Sequence, residues 1–251
     1  MMAFIFTRPD RPHYTFRILG TFFSYVMRFF YLVVTMLLPA CVTIDTPLVT
    51  SDAQHKADAR VTLGFGYLQR GNRVKARENF QQALEHAPKY YRAQLAMAHY
   101  LEQASEFTLA EHWFQQAISQ HPDNGQLLND YGRFLCKQSR YQEASVLFER
   151  AVLQPNYYYV ADSYENAAFC ALKAGQPKTA ARFFERAIAH DPSRPQAILN
   201  LVKLEINQGK YESAQNRLTQ FHQQFGVQAL SHRLMVELEL KKRRRSALPK
   251  P

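Results

Sequence analysis

The sequence predicts an all-α protein built as a solenoid of stacked helix pairs. Three observations predict it. A pattern of small, bulky and proline residues returns at a spacing close to 34 residues between about 57 and 194. Glutamine, alanine and leucine, which favour helix, recur throughout. Glycine and proline number 9 and 12 in 251 residues, too few for a loop-rich β architecture. An apolar content of 47% is ordinary for a folded chain and excludes wholesale disorder.

The net charge of +10 belongs to the two ends of the chain. Residues 1–40 carry Arg8, Arg11, Arg17 and Arg28 against Asp10, and residues 241–251 carry six basic side chains and no acid. The body between them holds 21 basic and 20 acidic residues. A basic patch on the folded part is not indicated, so a nucleic-acid partner is not expected.

The first element, 1–40, reads as a signal region. Phe29–Leu38 is apolar and follows Arg28. It is shorter than the about 20 residues a spanning helix needs and fits the apolar core of a secretory signal. Leu38-Pro39-Ala40-Cys41 follows at once and resembles the bacterial lipobox. That resemblance implies cleavage before Cys41, diacylation of its thiol and acylation of the new amino terminus. Val42, where Asp would retain such a protein at the inner membrane, implies the outer membrane. Met27 lies just upstream, so translation is expected to start there. The competing reading is a poor transmembrane anchor from about Phe22 to Leu38, which Arg28 interrupts. Residues 41–56 read as a linker.

The repeats come next. Units at 57–90, 91–124, 125–158 and 161–194 share the spacing small–x2–large–x8–Ala–x3–Phe–x2–Ala–x4–Pro. The first holds Gly64, Tyr67, Ala76, Phe80, Ala83 and Pro88; the second Ala98, Leu101, Ala110, Phe114, Ala117 and Pro122. The third holds Gly132, Leu135, Ala144, Phe148 and Ala151, with Pro155 one place early. The fourth holds Ala168, Ala171, Ala180, Phe184, Ala187 and Pro192. Small residues let two helices approach closely, the Phe fills the space between units, and the Pro ends the second helix. This pattern is similar to the tetratricopeptide repeat, which implies a right-handed superhelix with a groove lined by the first helices. A fifth unit, 195–228, is degenerate: Leu201, Ala214 and Leu218 keep register, and Phe221 stands where Ala is expected. Residues 229–240 read as a capping helix and 241–251 as a basic, disordered tail.

Repeat geometry nominates groove residues: Phe65 and Leu68, Leu95 and His99, Asn129 and Arg133, Glu165 and Phe169, then Leu199 and Lys203. Their mixed apolar and amphipathic character suits a peptide with apolar anchors. Packing between neighbouring units is the alternative role for each. A clamp for a terminal carboxylate needs Lys and Asn where this chain has Val61 and Phe65, so it is not expected.

Cys136 and Cys170 fall near the same place on the first helices of the third and fourth units. Because such helices lie side by side, a disulfide is expected in an exported chain; two buried free thiols are the other reading. The run Asn156-Tyr157-Tyr158-Tyr159 sits at a two-residue insertion and either anchors a partner or fills the gap. The nine His show no ligand spacing, and no catalytic pair, triad or phosphate loop is present. No cofactor, metal, small-molecule substrate or enzymatic activity is therefore expected.

Three strings carry a closer likeness: LGFGYLQRGNRVKARENFQQALEHAP (63–88), LLNDYGRFLCKQSRYQEA (127–144) and YENAAFCALKAGQ (164–176). Together with the lipobox they resemble the type IV pilus biogenesis/stability lipoprotein family (PilF/PilW) over roughly 41–240. The chain departs from that family in lacking the second helix of a sixth repeat, and in carrying Ala168 where Gly is frequent. The resemblance implies a lipoprotein at the periplasmic face of a Gram-negative outer membrane. Its partners would be secretin or other pilus assembly subunits, whose multimerisation or stability it promotes. A lipid-anchored scaffold for cell-wall or other envelope enzymes is the alternative that the same fold allows.

Overall fold

The structure, a computed structural model, describes residues 47–246. The signal region, Met27, Cys41 and the last five residues lie outside the described residues. Eleven α-helices and no strand occur among those described. In order they are α1 (Pro47–Gln69), α2 (Arg73–His86), α3 (Tyr91–Gln103), α4 (Phe107–Gln120), α5 (Gly125–Lys137) and α6 (Tyr141–Val152). The remainder are α7 (Val160–Lys173), α8 (Pro177–His190), α9 (Pro195–Asn207), α10 (Tyr211–Phe225) and α11 (Ala229–Ser246). Consecutive helices pair, and consecutive pairs stack, as a tetratricopeptide-repeat superhelix.

Each pair turns the same way. The residue closing the first helix adopts a left-handed conformation at Gly71, Ser105, Ser139, Gly175 and Gly209, with φ between 62° and 75°. Directly after it, the amide of Asn72, Glu106, Arg140, Gln176 or Lys210 donates to the carbonyl five residues earlier, at 2.9 Å in every case. This is the six-to-one bond that ends helices at a left-handed residue. Entry into the helices is also specified. The Asn72 and Asn124 side chains accept from Lys75 and Leu127 amides at 3.1 Å, and Pro177 and Pro195 open α8 and α9.

The recurrent aromatic residues form the spine. Phe80, Phe114, Phe148 and Phe184 are at most 2% exposed. The Phe80 and Phe148 rings press on the glycine of the partner helix. A Cβ added at Gly132 would stand 2.9 Å from Phe148, and one at Gly64 would collide with Phe80. In the fifth unit Leu218 and Phe221 are both buried, and Phe221 packs 4.9 Å from the Phe225 ring. Bulk has moved one helical turn along α10, so the irregular unit still fills its core.

Two boundaries differ from the sequence expectation. The linker assigned to 41–56 is helical from Pro47, because nothing between Pro47 and Ala57 stops a helix and Lys56 pairs with Asp52 one turn back at 2.7 Å. The basic tail assigned from 241 continues α11 to Ser246. Lys and Arg are good helix formers and lie at the favourable carboxyl end of the helix dipole. Lys241 also reaches Glu237 and Asn207, Lys242 reaches Gln215, and Arg245 covers the Tyr211 ring.

Candidate protein-binding groove

The first helix of each pair presents the nominated groove residues, and the repeat decides how much of each remains free. Phe65 meets Phe80 edge-on at 5.1 Å, and Phe169 meets Phe184 likewise at 5.2 Å. Leu68 and Leu95 also rest on the core. These four are half-buried, one face inward and one outward. Arg133 and Lys203 are exposed.

Asn129 and Leu199 leave the groove list. Leu199 is 4% exposed and belongs to the core beneath α9. Asn129 is 5% exposed, and its Oδ1 accepts from Ser163 Oγ and Asn166 Nδ2 at 3.0 Å. A buried amide must find partners, and those across the α5–α7 interface hold the third and fourth repeats together. Glu165 is also engaged, by Arg194 at 2.7 Å.

His99 lies between carboxylates of two repeats. Nδ1 is 3.6 Å from Glu102 and Nε2 is 3.6 Å from Asp130, while the ring stands edge-on to Phe114. Burial presses the imidazole pKa down, but Asp130 and Glu102 outweigh it and raise the value above 6.5. Burial likewise pushes the Glu102 carboxyl up, yet His99 and Lys137 carry it down to about 2. Asp130 is lowered in the same way: its burial is overcome by His99, with Gln126 and Arg133 assisting.

A series of polar links across repeats, not visible in any one unit, ties neighbouring helix pairs together. Arg92 and the Tyr90 hydroxyl meet Asp58 at 3.3 and 3.0 Å, Lys137 meets Glu102 at 2.6 Å, and Arg194 meets Asp162 at 2.9 Å. The sequence signal was available: opposite charges standing about one repeat apart. In the first-helix groove, His99, Glu102, Asp130, Arg133 and Glu165 are all paired internally, leaving the half-buried apolar faces and the exposed Lys203 for a partner.

Cys136 on α5 and Cys170 on α7 are joined as a disulfide across adjacent first helices, with Cα atoms 5.8 Å apart. The tyrosine run divides between its two readings. Tyr157 is 8% exposed, lies on Gly125 where any Cβ would collide with it, and pairs its hydroxyl with Ser163 at 2.8 Å. Tyr158 and Tyr159 are 89% and 59% exposed. Among the described residues no group of His, Cys, Asp and Glu could hold a metal, and no helix is long and apolar enough to cross a membrane.

Three stretches match family models of the tetratricopeptide repeat: 57–90, 113–144 and 171–235. The type IV pilus assembly protein PilF of Pseudomonas aeruginosa is 31% identical over 204 residues, covering 80% of this chain and 81% of that one. A solved structure of Pseudomonas aeruginosa PilF superposes with a TM-score of 0.67 at 29% identity, over 78% of this chain and 88% of that one. PilW, described as a widely conserved type IV pilus biogenesis factor, superposes at 0.63 with 25% identity, over 76% and 88% of the two chains. An uncharacterized protein of Haemophilus influenzae is 38% identical over 121 residues, 48% of this chain and 68% of that one.

Proposed function

This chain belongs to the family of the type IV pilus assembly protein PilF, and from that premise we propose that it is a lipid-anchored adaptor for pilus biogenesis. Acyl chains on Cys41 hold it at the periplasmic face of the outer membrane of a Gram-negative bacterium. Each buried methylene contributes about 0.8 kcal/mol, so several chains make the anchor effectively permanent. The repeat array binds secretin subunits and promotes their localisation and multimerisation. It works by binding and carries out no catalysis.

The observation that carries the proposal is the likeness to PilF across four-fifths of both chains, combined with a groove that keeps half-buried apolar faces on successive first helices. Phe65, Leu68, Leu95 and Phe169 each keep one face for a partner, as an extended or helical segment with spaced apolar anchors requires. Rigid repeats would present that segment in a fixed orientation, lowering the ordering cost of assembly.

The test uses affinity-tagged full chain, solubilised in mild detergent from the outer-membrane fraction of its own bacterium. Secretin subunits are expected to co-purify. A Leu68→Asp, Leu95→Asp double variant should retain its helical signal and its membrane fraction while losing the secretin. Retention of secretin by that variant would remove the groove from the account, and absence of secretin from the wild-type eluate would remove the partner.

A further inference from the structure

A concavity of about 1350 Å³ lies away from the first-helix groove, along the edge where each second helix hands over to the next first helix. Three successive repeat junctions, each a loop with the start of the next first helix, line it. The first contributes Tyr90 and Tyr91, the second His121, and the third Tyr157, Tyr158 and Tyr159. The rings fall into two groups along the concavity, one at the first two junctions and one at the third. Tyr91 meets Tyr90 at 5.6 Å and His121 at 5.8 Å, and Tyr157 meets Tyr159 at 6.0 Å.

The floor is held in place. Tyr90 bonds to Asp58, the His121 Nε2 lies 2.9 Å from the Lys89 carbonyl, and Tyr157 is locked by Gly125 and Ser163. Above it, Tyr158 and Tyr159 stand in solvent. A tyrosine has only two side-chain torsions to fix, so ordering Tyr158 and Tyr159 against a partner costs little for the contact area they bring.

Charge and geometry restrict the occupant. Lys89 and Arg92 face the groove against Asp123, and Arg92 is already paired with Asp58. The lining is close to neutral, so it fits neither a strongly acidic nor a strongly basic segment. No strand occurs among the described residues, so the groove offers no sheet edge to extend. Aromatic-lined grooves suit polyproline-II segments, whose pyrrolidine rings stack on the aromatic faces while their carbonyls accept from tyrosine hydroxyls.

We propose that this edge groove binds an uncharged, proline-containing segment of a protein partner in the polyproline-II conformation. The site is separate from the first-helix groove and does not depend on secretin being the client.

The experiment titrates full-length protein into fluorescein-labelled decaproline, and into a labelled Gly–Ser decamer, following anisotropy. Decaproline is expected to bind saturably and at least about tenfold tighter than the flexible peptide, because its conformation is already formed. Tyr158→Ser with Tyr159→Ser should weaken decaproline binding by about tenfold or more, with a cooperative melt retained, since Tyr158 is exposed and Tyr159 meets the fold through the Tyr157 ring. Tyr91→Ala should weaken it too, and Arg133→Ala, in the other groove, should not. Absence of decaproline binding, equal binding of the two peptides, or undiminished binding by the double tyrosine variant would overturn the proposal. Each of these outcomes leaves the secretin reading standing, because co-purification of secretin is measured separately.

Discussion

At the scale of single residues, His99 shows how the repeat array uses charge. Its imidazole is bracketed by Glu102 on its own helix and Asp130 on α5, with Lys137 and Arg133 completing the cluster. The folded pKa is raised above 6.5. The stability from protonated His99 is therefore fully present below the unfolded value and is lost as pH rises through the raised folded value. Glu102, held at about 2, keeps its charge throughout that window. His99→Gln should lower the unfolding free energy by about 1 kcal/mol near pH 5.5, and the difference from wild type should shrink towards zero near pH 9. Urea denaturation at both pH values checks this; a constant difference would mean that His99 acts by packing alone. The sequence placed His99 on the groove face, but its partner Asp130 lies a repeat away and no local pattern points to it. Asn129 illustrates the converse: its position was legible, and its burial by Ser163 and Asn166 was not.

At the scale of elements, the small–Phe–Ala–Pro spacing was legible because each position answers a steric demand that few residues meet. The left-handed turn residue belongs to the same logic, yet Ser105 and Ser139 occupy it in two of the five pairs, at φ 62°. A non-glycine residue there carries backbone strain of about 1–2 kcal/mol, partly offset by the greater unfolded-state entropy of glycine. Ser105→Gly should raise stability by up to about 1 kcal/mol. Gly175→Ala should cost about 1–2 kcal/mol, and purely through the backbone, since a Cβ there meets open space. Thermal melts of the two variants should move in opposite directions. The helix ends at Pro47 and Ser246 were not legible: where no residue forbids further turns, a helix continues as far as local pairs such as Lys56–Asp52 and Lys241–Glu237 support it.

At the scale of the molecule, each pair contacts chiefly its neighbours, so stability is close to a sum over pairs and their interfaces. The Cys136–Cys170 link crosses one of these interfaces and closes a loop with a sequence separation of 34. In the chain-entropy view such a loop contributes about 3–4 kcal/mol. Cys136→Ser with Cys170→Ser, or full reduction of the wild type, should therefore lower the melting temperature markedly. Free labelling of both thiols in non-reduced protein would contradict a permanent bond. The fold class was legible from the repeat alone, and the pilus family from strings spread over the array. The edge groove was not, because Tyr91, His121 and Tyr158 come from three repeat junctions that only stacking brings together. The central claim, an adaptor for secretin assembly, is tested most directly by the SDS-resistant secretin multimer in bacteria with and without this gene. The account predicts that the multimer disappears without the gene, returns with the wild type, and is mislocalised with Cys41→Ala. An unchanged multimer in the deletion strain would contradict it.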